Sequence, residues 1–171
     1  WSLLKREYLI PGKFRSLEAF QEAKGTVADY VTILSDYIVD LQNFCLKREE
    51  RERNRLLDEG IAVCREFLEL VPEADLSDRL NFRSDMAEMH VMKKEYDRAE
   101  RLYRQLINEY PEWPLSYALL GDMFELRYRE AGVREDLEKA ERVWMLGLRR
   151  CQDGLDALEE RLRDLQELKK E

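Results

Sequence analysis

Residues 80–113, LNFRSDMAEMHVMKKEYDRAERLYRQLINEYPEW, read as a helix, a short turn and a second helix with their own start and stop signals. Met86, Ala87 and His90 share one face of the first helix. Tyr96, Ala99, Leu102, Tyr103 and Leu106 share one face of the second, and Pro111 stops it. Two helices cannot bury both faces alone, so the hairpin predicts neighbours stacked against it. Ala87 and Ala99 permit close backbone approach, and Tyr103 fills the space one turn later.

This succession of small and aromatic residues, closed by Pro111, resembles a tetratricopeptide repeat, whose period is about 34 residues. It departs from that family at Arg83, where a large aromatic is usual, and at His90, which replaces a tyrosine. The following segment, WPLSYALLGDMF, restores both: Tyr117, Leu120, Gly121 and Phe124 match the family's first-helix motif, and Ala140, Trp144 and Gly147 match its partner helix. Phe124 and Ala140 lie farther apart in sequence than His90 and Ala99, by close to two helical turns. Such an insertion drifts by only about 20° and keeps both faces in register. It predicts lengthened helices around a turn at Ala131-Gly132. The resemblance implies an all-α fold, a right-handed superhelix of stacked antiparallel helix hairpins with a C-terminal capping helix.

Within that reading residues 1–171 form a single helical domain. Residues 1–25 are an N-terminal capping element, with Trp1, Leu4 and Tyr8 on one face before Pro11-Gly12, and Ser16 and Gly25 as caps of a short helix. Residues 26–79 make a degenerate long hairpin. Its first helix starts at Thr26 and carries the stripe Val27, Tyr30, Val31, Leu34, Tyr37, Ile38, Leu41 and Cys45. Its second carries Leu56, Leu57, Ile61, Cys64, Phe67 and Leu68 and stops near Pro72, with Gly60 marking a close crossing by the preceding helix. The charged run 47–55 hides the turn between them and reads as a solvated face. A linker, 72–77, leads to the repeat 80–113, and the repeat with the insertion spans 114–151. Residues 154–171, with Leu155, Leu158, Leu162, Leu165 and Leu168 on a stripe, cap the array. A coiled-coil homodimer through the same stripe is the alternative.

Composition narrows the function. The chain has 171 residues, 39% charged and 44% hydrophobic, with seven glycines and four prolines, which favours helices. A net charge of -8 argues against nucleic acid as a partner. No apolar run is long enough for a bilayer, so no membrane association is expected. The start at Trp1 reads as a fragment or a processed product. Cys45, Cys64 and Cys151 show no metal-ligand spacing, and one histidine cannot complete a zinc site with them. They read as buried thiols of a reducing compartment, the cytoplasm. No cofactor, metal or catalytic residue is predicted: there is no phosphate-cradling glycine loop, and His90 reads as a packed aromatic substitute.

The resemblance also implies a binding surface, because the first helix of each hairpin lines a concave groove in the family. Carried onto this chain, that groove is lined by Asn81, Ser84, Asp85, Glu88, Val91 and Met92, then by Leu115, Ala118, Leu119, Asp122, Glu125 and Leu126. Asp29, Thr32, Ile33, Asp36, Val39 and Asp40 join if the first hairpin aligns likewise. Its charged members are all acidic. The expected function is therefore a non-enzymatic protein interaction scaffold for a basic or amphipathic peptide. Family members that hold acidic chaperone tails use Lys, Arg and Asn on these faces, and here only Asn81 fits. The competing expectation is a helical regulatory or catalytic domain with a site between its long helices.

Overall fold

The computed structural model describes residues 27–72 and 74–169, and the expectations for residues 1–25 and for Thr26 lie outside them. The described residues form seven helices and no strand. In chain order these are α1 (Val27–Cys45), α2 (Glu50–Leu70), α3 (Leu76–Met92), α4 (Tyr96–Glu109), α5 (Pro114–Ala131), α6 (Arg134–Arg150) and α7 (Asp156–Leu168). The chain divides into two compact units between Lys94 and Glu95. That boundary falls within residues 80–113, so α3 belongs to the first unit and α4 to the second.

In the first unit α1, α2 and α3 pack on one another. The expected stripe of α1 is the face that goes inside: Val31, Leu34, Ile38, Leu41 and Cys45 are buried. Leu57, Cys64 and Phe67 of α2 meet it, and the Phe67 ring lies 4.3 Å from that of Phe82 in α3, tilted by 42°. Burying side chains of this size stabilises by about 2–3 kcal/mol each. Helix α1 ends at Cys45, ahead of the charged run, and a turn with neither glycine nor proline leads to Glu50. Backbone hydrogen bonds from Lys47 to Phe44 (3.3 Å) and from Arg48 to Cys45 (3.1 Å) form it. A Cβ at Gly60 would lie 2.5 Å from Met89 Sδ and 2.8 Å from a Leu41 methyl, so α3 as well as α1 crosses there. The linker is shorter than its sequence suggests, because α3 begins at Leu76.

The second unit is built on the α5–α6 pair, with α4 against α5 and α7 chiefly against α6. Pro111 stops α4 because the residue before a proline is pushed out of the helical region, and Tyr110 has left it at φ -134, ψ 69. The Pro111 carbonyl then accepts the Tyr117 hydroxyl at 2.7 Å and the Cys151 thiol at 3.9 Å, tying this turn to α5 and to the end of α6. Helix α5 starts with Pro114, where a missing N–H costs nothing, and ends at Gly132, whose φ of +70 is the left-handed cap. Between Phe124 and Ala140 the chain stays helical except for the turn at Gly132 and Val133. Tyr103, Tyr117, Leu120, Phe124, Leu137, Ala140 and Trp144 fill the interior, and Leu158 and Leu165 of α7 close it. A buried carboxylate, Asp136, joins α5 to α6 through Arg127 at 3.3 Å and is also approached by Lys139 at 3.4 Å.

Candidate functional site

The positions expected to line a groove fall in both units. In the first, Asn81 is exposed, Asp85, Glu88, Val91 and Met92 are half-buried, and Ser84 is buried. Ser84 therefore presents no surface. Asp85 is unusual: burial first, and the charge of Glu88 second, push its carboxyl from the ordinary 3.8 up to about 7. Thr32, Asp36, Val39 and Asp40 of α1 are exposed.

In the second unit the expected residues lie on α5. Leu115, Leu119, Asp122 and Leu126 follow one another at intervals of four, three and four residues. That spacing sets them within a narrow arc, in a row about 16 Å long. Leu115 and Leu126 are each 39% exposed, large values for leucines on a helix that buries most of its other apolar residues. Leu119 is half-buried between them. Ala118, by contrast, is buried, and its carbonyl accepts the Trp144 indole N–H at 3.1 Å, so it serves the α5–α6 contact and not the open face.

The polar part of this strip includes residues that the sequence assigned only to a cap. Arg161 of α7 grips both carboxylate oxygens of Asp122, Nε to Oδ1 at 2.5 Å and Nη2 to Oδ2 at 2.6 Å. Its remaining nitrogen, Nη1, donates to the Ala157 carbonyl one turn back at 3.0 Å. The hydrogen bonding to Asp122 raises the Arg161 pKa most, and the charges of Asp122, Glu160 and Glu125 add to it. Asp122 alone is bonded to this guanidinium, and Glu160 and Glu125 act on it through their charge. Glu125 draws a second cation, Arg129, from one turn along α5, where an exposed pair of this kind contributes only a few tenths of a kcal/mol. On Asp122 the effect of burial exceeds that of the ion pair, and its carboxyl stays above the ordinary range.

Near the N-terminal end of α5 there is a cleft of about 290 Å³ lined by Glu112, Pro114, Gln152, Asp153 and Gly154. Two more carboxylates therefore stand there. The strip's chemistry is an apolar row with an excess of negative charge along one edge and at one end. Such a surface is chemically suited to apolar side chains and cations. Among the described residues no group of His, Cys, Asp and Glu side chains is arranged to hold a metal ion, and no helix is long and apolar enough to cross a membrane.

Sequence reasoning reached the α5 row through its repeat positions and missed Arg161 and Glu160. Their only sequence signal is a place beside the Leu158–Leu165 stripe, which many other charged residues share. The repeat-signature residues Ala87, Ala99, Tyr103, Tyr117, Leu120, Gly121, Phe124, Ala140, Trp144 and Gly147 are all buried, and Pro111 is an exposed turn residue. No protein-family model, curated protein or solved structure matches this chain.

Proposed function

We propose that the chain is a non-enzymatic protein interaction scaffold of tetratricopeptide-like architecture, and that the α5 strip of its second unit takes a basic amphipathic helix from a partner protein. One observation carries this reading: Leu115, Leu119 and Leu126 stay accessible in a row beside three carboxylates, Asp122, Glu125 and Glu160, of which Asp122 is paired with Arg161 and Glu125 with Arg129. Apolar anchors at one-turn spacing are what a helix docking on a helix needs, and the acidic edge selects a basic flank. The architectural part rests on Gly121 and Gly147, each placed where a neighbouring helix comes too close for a Cβ. The three free, buried cysteines support a reducing compartment such as the cytoplasm.

A helical domain with acid–base chemistry draws on Asp85, since a carboxyl titrating near neutrality is what such chemistry uses. The thiol that feels the Asp85 charge, Cys64, is wholly buried, and burial pushes it far above the range in which a thiolate forms. The pair supplies no active nucleophile, and the scaffold reading is preferred.

The test is a titration of the full chain with a labelled synthetic helix bearing leucines on one face and lysines on its flanks. Leu119→Glu places a charge in the middle of the strip and is expected to weaken binding by about tenfold, equivalent to ~1.4 kcal/mol. Unchanged affinity in this variant, with its helix content intact, rejects the α5 strip as the binding surface.

A further inference from the structure

The geometry of Arg161 points to a more specific partner. We propose that Asp122 selects an arginine on the incoming helix, and that Arg161 is a resident stand-in which that arginine displaces. This rests on the reading of the α5 strip given above.

Three observations carry it. First, Asp122 sits within the leucine row, between Leu119 and Leu126, so a helix anchored on those leucines brings one of its own side chains against this carboxylate. Second, the carboxylate already holds a guanidinium in the two-pronged arrangement that arginine makes and lysine cannot. The site is thus shaped for the group proposed. Third, the resident pair is accessible, with 29% of the Arg161 side chain and 36% of that of Asp122 open to solvent. Helix α7 has other anchors besides the pair, since Leu158 and Leu165 are buried.

When Arg161 leaves, the Ala157 carbonyl that it already bonds and the negative charge of Glu160 remain close by on its own helix. One guanidinium replaces another on Asp122, so selectivity arises from geometry more than from net charge. The resident arginine holds affinity down until a partner offers both the leucine anchors and an arginine in register.

The probes are two labelled synthetic helices with leucines spaced to match Leu115, Leu119 and Leu126, one carrying arginine opposite Asp122 and the other glutamine. The parent chain is expected to prefer the arginine helix. Arg161→Ala removes the competitor and is expected to tighten that helix by about fivefold, a modest gain in keeping with a partly exposed pair. Arg161→Lys, which keeps the charge without the two-pronged grip, should fall between. Equal or weaker binding of the arginine helix by Arg161→Ala overturns the proposal, as does equal affinity of the parent for the two helices. A second readout needs no variant: the Arg161 Nε–H resonance of the parent should shift as the arginine helix is added. A resonance that stays in place with the peptide bound also overturns it. Leu119→Glu separates the two readings, since its failure to weaken either helix rejects the strip itself.

Discussion

Trp144 lies against Gly121 so closely that a Cβ on the glycine would sit 2.0 Å from the indole nitrogen, while that nitrogen donates its hydrogen to the Ala118 carbonyl one turn earlier. The glycine gives the ring its place, and the hydrogen bond fixes the ring's orientation. The same device recurs where Gly147 of α6 meets Tyr117 and a Leu158 methyl, each 2.8 Å from the position of an added Cβ. Two glycines that cost helix propensity thus permit the approach of three helices.

Gly121→Ala tests this directly. Alanine favours the helix by about 1 kcal/mol over glycine, and a surface glycine would gain that amount. Here the added methyl meets a fully buried ring held by its hydrogen bond to the Ala118 carbonyl, and overpacking of this kind costs about 1–3 kcal/mol or more. The expected sum is destabilising, with the melting temperature lowered by roughly 2–8 °C when followed by circular dichroism. A variant as stable as the parent would show that α6 does not press on α5 at this point.

The buried carboxylate of Asp136 gives a second expectation. Arg127→Ala removes its ion pair from α5 and leaves Lys139 as the remaining cation beside it, at an expected cost of about 2 kcal/mol. Asp136→Asn in the Arg127→Ala background removes the stranded charge and should recover about half of that loss. Additive effects in the double-mutant cycle would mean that the two groups do not interact.

Asp85 predicts a pH dependence with a defined sign. Its folded-state pKa of about 7 lies above the ordinary 3.8, so the folded chain binds this proton more tightly than the unfolded chain does. The stability it contributes is fully present below about pH 4 and is lost as pH rises through about 7, by an amount on the order of 2–4 kcal/mol. Asp85→Asn should remove that slope. Urea midpoints of parent and variant are expected to converge at pH 3.5 and to diverge at pH 8, with the variant the more stable at pH 8. Parallel curves across this range would contradict the burial of the carboxyl.

Much of this architecture was legible in the sequence, for physical reasons that differ from element to element. The α1 stripe from Val31 to Cys45 keeps one face for its whole length, and such a face has to be buried. Pro111 and Gly132 punctuate the chain because one cannot continue a helix and the other supplies a left-handed cap. The turn between α1 and α2 was not legible, since backbone hydrogen bonds close it among ordinary charged residues. Asp85 looked like a surface carboxylate, because its depth depends on how neighbouring helices cover it. The Asp122–Arg161 pair joins residues 39 positions apart in a chain where charges are common, so no local pattern announces it.

The most direct measurement of the central claim is a heteronuclear NMR titration of the isotopically labelled full chain with the arginine-bearing amphipathic helix. The largest shifts are expected at Leu115, Leu119, Asp122 and Leu126 of α5 and at Glu160 and Arg161 of α7. Shifts confined to α1 and α2, or none at several-fold peptide excess, would contradict the account.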